Sequence, residues 1–210
     1  MRGLIGETWR LLRSNLRALL GVALVLLVPA ELAFAYARED SETTGVVALV
    51  LLYLVGYTWV SAALYATLGR PGSGPVRVYG AIVDRLPALV LLNLIVTIPI
   101  AVGLLLLVVP GLLLAARWSA SGALVTLDGD GPIRALEASN ERVRGRTWTV
   151  AGAGLLVALA GIAVGIPGLV VTEVAESPWA DALGEVLLDV ALFIPLTVFS
   201  YAVYRQAQAM

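Results

Sequence analysis

The sequence predicts an all-α fold: a polytopic membrane bundle of six transmembrane helices, paired as three hairpins, with short amphipathic helices on the cytoplasmic side. Three observations carry this expectation. Apolar residues make up 60% of the chain and charged residues only 14%, whereas soluble domains carry about 25% charged residues. Apolar runs of roughly 20 residues, the length that crosses a ~30 Å hydrocarbon core, recur along the whole chain. The basic residues between those runs are crowded into alternate connections and nearly absent from the others.

The first span is expected at 14–37. Arg2, Arg10, Arg13 and Arg17 precede its apolar run, and Ala35-Tyr36-Ala37 resembles a leader cleavage site. The run is longer than a leader's apolar core, so it reads as a membrane helix. The second span is expected at 45–69 and the third at 86–109. Pro110-Gly111 then marks an external turn, and the fourth span follows at 111–127. The fifth is expected at 147–172 and the sixth at 181–204, so residues 1–210 form one integral membrane domain.

Orientation follows from arginine, the only basic residue type in the chain. Twelve of the 14 arginines fall at 2–17, 70–85, 134–146 and 205, on one side of the expected bundle. The opposite side has Arg38 alone, beside Glu39, Asp40 and Glu42, and an acidic stretch with Glu173, Glu176, Asp181 and Glu185. By the positive-inside rule both termini are cytoplasmic, and the expected location is the cell membrane.

The cytoplasmic connections carry helical patterns of their own. Gly131-Pro132 sets proline in a first helical turn, where its missing N–H costs nothing. Ile133, Leu136, Ser139, Asn140 and Val143 then share one face, and Gly145 is a plausible stop. Segments 6–13 and 76–85 look similar. All three read as interfacial helices, the alternative being cytoplasmic ends of long spans. The layout of interfacial helix, span, span suggests three related units, each with a proline inside the membrane: Pro29, Pro99 and Pro167.

Polar residues inside the spans are the candidate functional residues, because each is costly there. Arg117, Asp189 and Glu31 lie at a similar count from the external side, so an intramembrane Arg/carboxylate cluster is expected. Structural pairing, a solute or proton path, and snorkelling of Arg117 are the alternatives. Tyr53, Tyr57, Ser61 and Tyr65 recur every four residues as a polar-aromatic stripe. With Trp59 and Trp118 they are candidates to line a cavity, or else a helix contact face. Gly161 and Gly165 form a GxxxG pattern that suits close helix packing. Asp128-Gly129-Asp130-Gly131 begins like a calcium loop but lacks the later ligands, so a turn is expected.

The exclusions are sharp. The chain has no histidine, cysteine or lysine. That removes disulfides, thiolate nucleophiles, the usual zinc and haem sites, a histidine base and any Schiff base. No metal or cofactor is expected, and no acid/base pair is evident, so the expectation is a protein that is not an enzyme.

Residues 109–150 resemble a prokaryotic family, the six-helix membrane domain named for glycerophosphoryl diester phosphodiesterases, and related uncharacterised membrane proteins. The resemblance rests on Pro110-Gly111, Arg117, Gly131-Pro132-Ile133-Arg134-Ala135-Leu136-Glu137-Ala138-Ser139 and Arg144-Gly145-Arg146-Thr147-Trp148. The segment Arg13-Ser14-Asn15-Leu16 and the end at Tyr204-Arg205 are similar too. Asn140 departs from the pattern, which commonly has an aromatic there. In that family phosphodiesterase chemistry belongs to a separate soluble barrel, so the resemblance implies an accessory membrane domain. The function expected is a scaffold, accessory or lipid-interacting factor; the rival is a small-solute transporter or channel. Expected partners are membrane lipids, with another membrane protein or a second copy of the chain, and no nucleic acid.

Overall fold

Backbone N–H and C=O groups in hydrocarbon must be satisfied within their own segment, and the α-helix does this residue by residue. The computed structural model describes residues 1–39, 43–72, 75–174 and 177–208, and these contain helices and no strand. The order is α1 (Arg2–Glu39), α2 (Thr43–Gly69), α3 (Pro75–Ile82), a 3-10 turn (Val83–Arg85), α4 (Leu86–Leu106) and α5 (Val108–Arg117). There follow α6 (Ser121–Ala123), a π-helical turn (Leu124–Asp128), α7 (Pro132–Val143), α8 (Thr147–Val174) and α9 (Pro178–Gln208). Five helical stretches are long and apolar enough to cross a membrane. They mark the chain as a multi-pass membrane protein in class, and α2 adds a further helix of 27 residues beside them.

Three expectations need correction. Segment 6–13 is not a separate interfacial helix, because α1 runs unbroken for 38 residues. Its first turns nevertheless touch α8 and α9 in succession. The Met1 side chain reaches Gly152, and Gln206 donates to Glu7 at 2.9 Å. The external turn is not at Pro110-Gly111. Leu107 is the extended residue between α4 and α5, and Pro110 and Gly111 lie inside the first turns of α5. The shift has a local reason: a proline at the third helical position removes an N–H that has no intrahelical acceptor. Finally, the fourth span is not one helix. It breaks at residues 118–120 and resumes as α6 and the π-helical turn.

Other elements fall where expected. α7 begins at Pro132; Leu136, Ser139 and Val143 of the expected face are buried together with Ala135, while Ile133 and Asn140 are exposed. Gly129 and Gly145 flank it with φ of +78° and +80°, a left-handed conformation that glycine adopts without steric cost. Helices α1, α4 and α8 continue through Pro29, Pro99 and Pro167.

Packing is most extensive between α8 and α9. A methyl group on Gly161 would lie 2.7 Å from the Ala191 carbonyl oxygen, and one on Gly168 would lie 2.6 Å from that of Gly184. A methyl group on Gly165 would lie 2.8 Å from the Leu188 side chain. Lipid tails are as apolar as leucine, so helices associate in membranes through such contact and polar bonds rather than by escaping water. The GxxxG pair therefore serves α9 inside the bundle. α1 packs on α9 and α2, and α4 folds back on α5.

Candidate functional site

Where α4 and α5 stand away from α2 and α9, a cavity of about 470 Å³ remains, walled by α2, α4, α5, α6 and α9. Tyr57, Ser61 and Tyr65 of the tyrosine stripe line it, and so does Trp118. Asn93, Thr97, Ser119, Ser121, Thr197 and Ser200 add polar groups, while leucines, valine, isoleucine and Phe193 supply apolar wall. No charged side chain borders it among the described residues. Tyr53 falls outside the residues whose side chains are described. Trp59 is not part of the wall; it meets Tyr79 edge-on at 6.4 Å between ring centroids. Two residues beyond Tyr57, it projects from nearly the opposite side of α2.

The break in the fourth span forms part of this wall. A helix that stops at Arg117 leaves backbone groups without partners, and at membrane depth each is expensive. Ser139 of α7 closes the gap. Its hydroxyl donates to the Arg117 carbonyl oxygen at 2.8 Å and accepts from the Ala120 N–H at 3.1 Å. Ser139 and Ala120 are both fully buried. The far end of the span is held by Arg85, which donates to the Val125 carbonyl at 3.1 Å and to that of Thr126. Asp128 accepts from Tyr204 at 2.6 Å and lies 3.8 Å from Arg142, while Asp130 faces Arg134 at 3.4 Å. The two aspartates thus terminate a turn, as expected.

The intramembrane charges pair differently from the expectation. Glu31, 3% exposed, is in side-chain contact with Asp189. Tyr57 donates to Glu31 Oε1 at 3.1 Å and packs edge-on against Phe193, with ring centroids 5.3 Å apart. Arg117 does not join them: its residue is exposed, and it forms no ion pair among the described residues. Helical register explains this. Ala115, Trp118 and Ser119 face the cavity, and the intervening Arg117 projects from the other side. Depth contributes too. Gly122 abuts Tyr65, and Gly69 abuts Leu127, offsets of 57 and 58 in residue number. That register sets Arg117 level with residues 59 and 60, two to three residues or about 3–4.5 Å along α2 from Tyr57.

Sequence reasoning missed the splice by Ser139, the anchor at Arg85 and the cavity residues Asn93, Thr97, Thr197 and Ser200. One signal was legible: Ser139 is a hydroxyl on the apolar face of α7. Asn93 is a lone amide in an apolar run; it donates to Thr58 Oγ1 at 2.6 Å. Comparison with family models, with curated proteins and with solved structures yields no match to this chain.

Proposed function

We propose that this is a non-enzymatic integral membrane protein that binds a lipid-soluble, amphipathic molecule in the cavity between α2, α4, α5, α6 and α9. One observation carries the reading: a chamber of about 470 Å³ with hydroxyl, phenol and amide groups set into an otherwise apolar wall. Ligand sites are of this size and character, mostly apolar with a few polar groups that fix orientation. Irregular backbone at membrane depth is tolerated where it lines a cavity, and the broken fourth span does so. The reading is compatible with the accessory membrane domain that the family resemblance implies. Six spans with both termini in the cytoplasm, in the cell membrane, belong to the proposal and rest on the arginine asymmetry.

The test is native mass spectrometry of the protein released from nanodiscs, beside a Ser61→Phe variant that fills the chamber. A co-purifying small molecule present on the wild type and absent from the folded variant supports the reading. Equal retention by both refutes it.

A second reading, transport of the bound molecule, is favoured by the contact of Tyr57 with the Glu31–Asp189 pair. Carboxyl groups inside membrane helices commonly mark ion and proton routes, and broken helices commonly line transport sites. Ligand flux in proteoliposomes that is lost in Glu31→Gln would favour transport; saturable binding without flux would favour the first reading.

A further inference from the structure

The first half of α1 carries charge that the fold does not use. Arg10, Arg13 and Arg17 are all exposed. A turn of about 100° per residue places the three within an arc of about 60°, spread over about 10 Å of helix. No carboxylate forms an ion pair with any of them among the described residues. Glu7, one turn before Arg10, accepts from Gln206 of α9 at 2.9 Å instead. The packing of these turns falls to the opposite face, where Leu4, Thr8 and Leu19 are buried.

One contact sets part of the stripe. The Arg13 guanidinium lies over the ring of Trp9, 5.3 Å from its centroid, and Trp9 is itself exposed. A guanidinium stacked on a ring keeps its edge N–H groups for a second partner. Its planar fork matches two oxygens of a phosphate. Arg13 and Arg17 are neighbours on the helix surface, four residues apart.

What meets the stripe follows from the residues beyond it. Gly21, one turn after Arg17, has open space where a side chain would begin. Leu24 then continues the arc and is exposed. α1 is long and apolar enough to cross a bilayer. Its exposed apolar surface therefore meets acyl chains, and arginines at the edge of that surface meet headgroups. A soluble acidic protein or a nucleic acid would leave Leu24 without a partner. A second copy docked stripe to stripe would set arginine against arginine.

We infer that this face of α1 is a docking surface for an anionic phospholipid, with its phosphate between Arg13 and Arg17 and an acyl chain along Gly21 and Leu24. The surface is separate from the cavity and needs only that α1 crosses a bilayer.

The test titrates the protein in detergent micelles with dioleoylphosphatidylglycerol and with dioleoylphosphatidylcholine, and counts bound lipid by native mass spectrometry. Each arginine beside an anionic headgroup contributes about fivefold in affinity. The anionic lipid is therefore expected to bind at least tenfold more tightly than the zwitterionic one. In the double variant Arg13→Gln, Arg17→Gln that preference falls to within about threefold. The double variant Arg134→Gln, Arg144→Gln removes the same charge from exposed positions on and beside α7, and it keeps the preference; thermal melting verifies that both are folded. Equal affinity for the two lipids overturns the inference. So does an equal loss in both variants, which assigns the preference to net charge. Displacement of the lipid by glycerol phosphate at the same concentration overturns it in favour of a soluble phosphate. A dimer that disappears in the Arg13, Arg17 variant overturns it in favour of a second copy.

Discussion

The α8–α9 pair and the α4–α5–α6 arm are built from similarly apolar sequence and pack by opposite means. Along α8 and α9 the backbones touch at Gly161 and Gly168, Gly165 receives the Leu188 side chain, and little space remains between them. In the arm, α4 and α5 meet closely only beside the turn that joins them, where an added methyl on Gly103 would lie 3.0 Å from the Gly111 backbone and one on Gly111 would lie 2.5 Å from the Leu104 nitrogen. From there the arm helps to wall the open cavity, and its own helix is interrupted. Where backbones can touch, van der Waals contact suffices to hold membrane helices together. Where they stand apart, individual polar side chains do the holding: Ser139 at the break and Arg85 at the far end.

The contrast is tested most severely at its glycines. Gly168→Leu forces the Gly184 backbone away and is expected to cost about 3 kcal/mol or more, read as a large drop in melting temperature or loss of folded protein. Gly56→Leu, at a position with no neighbour within 4 Å, is the control and should leave melting nearly unchanged. A mild effect at Gly168 would break the comparison. Next in size is Ser139→Ala, which strands the Ala120 N–H and the Arg117 carbonyl. It is expected to cost about 2 kcal/mol and to alter Trp118 fluorescence, because that residue sits in the break. Arg85→Gln removes donors from two carbonyls of the π-helical turn, and about 1 kcal/mol is expected. The smallest effect belongs to Arg117→Gln. Exposed and without an ion pair among the described residues, it should shift stability by no more than about 0.5 kcal/mol. A loss comparable to that of Ser139→Ala would restore Arg117 to a structural role.

Much of the frame was legible in sequence because it depends on length and composition. Apolar runs, Pro132, Gly145 and the glycines of α8 each have a local cause and lie where that cause predicts. The stripe of Tyr57, Ser61 and Tyr65 was legible from its four-residue spacing. Glu31 and Asp189 were grouped by depth, and they do meet. Arg117 was grouped with them wrongly, because the count began from a turn at Pro110-Gly111 and carried no information about facing. A helix that is apolar on all sides offers no amphipathic signal to orient it. The break at 118–120 contains no proline or glycine, and nothing in Trp118-Ser119-Ala120 announces it. It depends on a hydroxyl supplied from 19 residues further along the chain, which is a tertiary fact.

The Ser139 bridge makes the rim of the molecule and the chamber wall one mechanical unit. α7 exposes Arg134, Glu137 and Glu141, turns Arg142 inward over Tyr204, and holds the interrupted helix through Ser139. Displacement of α7 would move the Ser139 link and, with it, the wall beside Trp118, as a pin carries load between two arms.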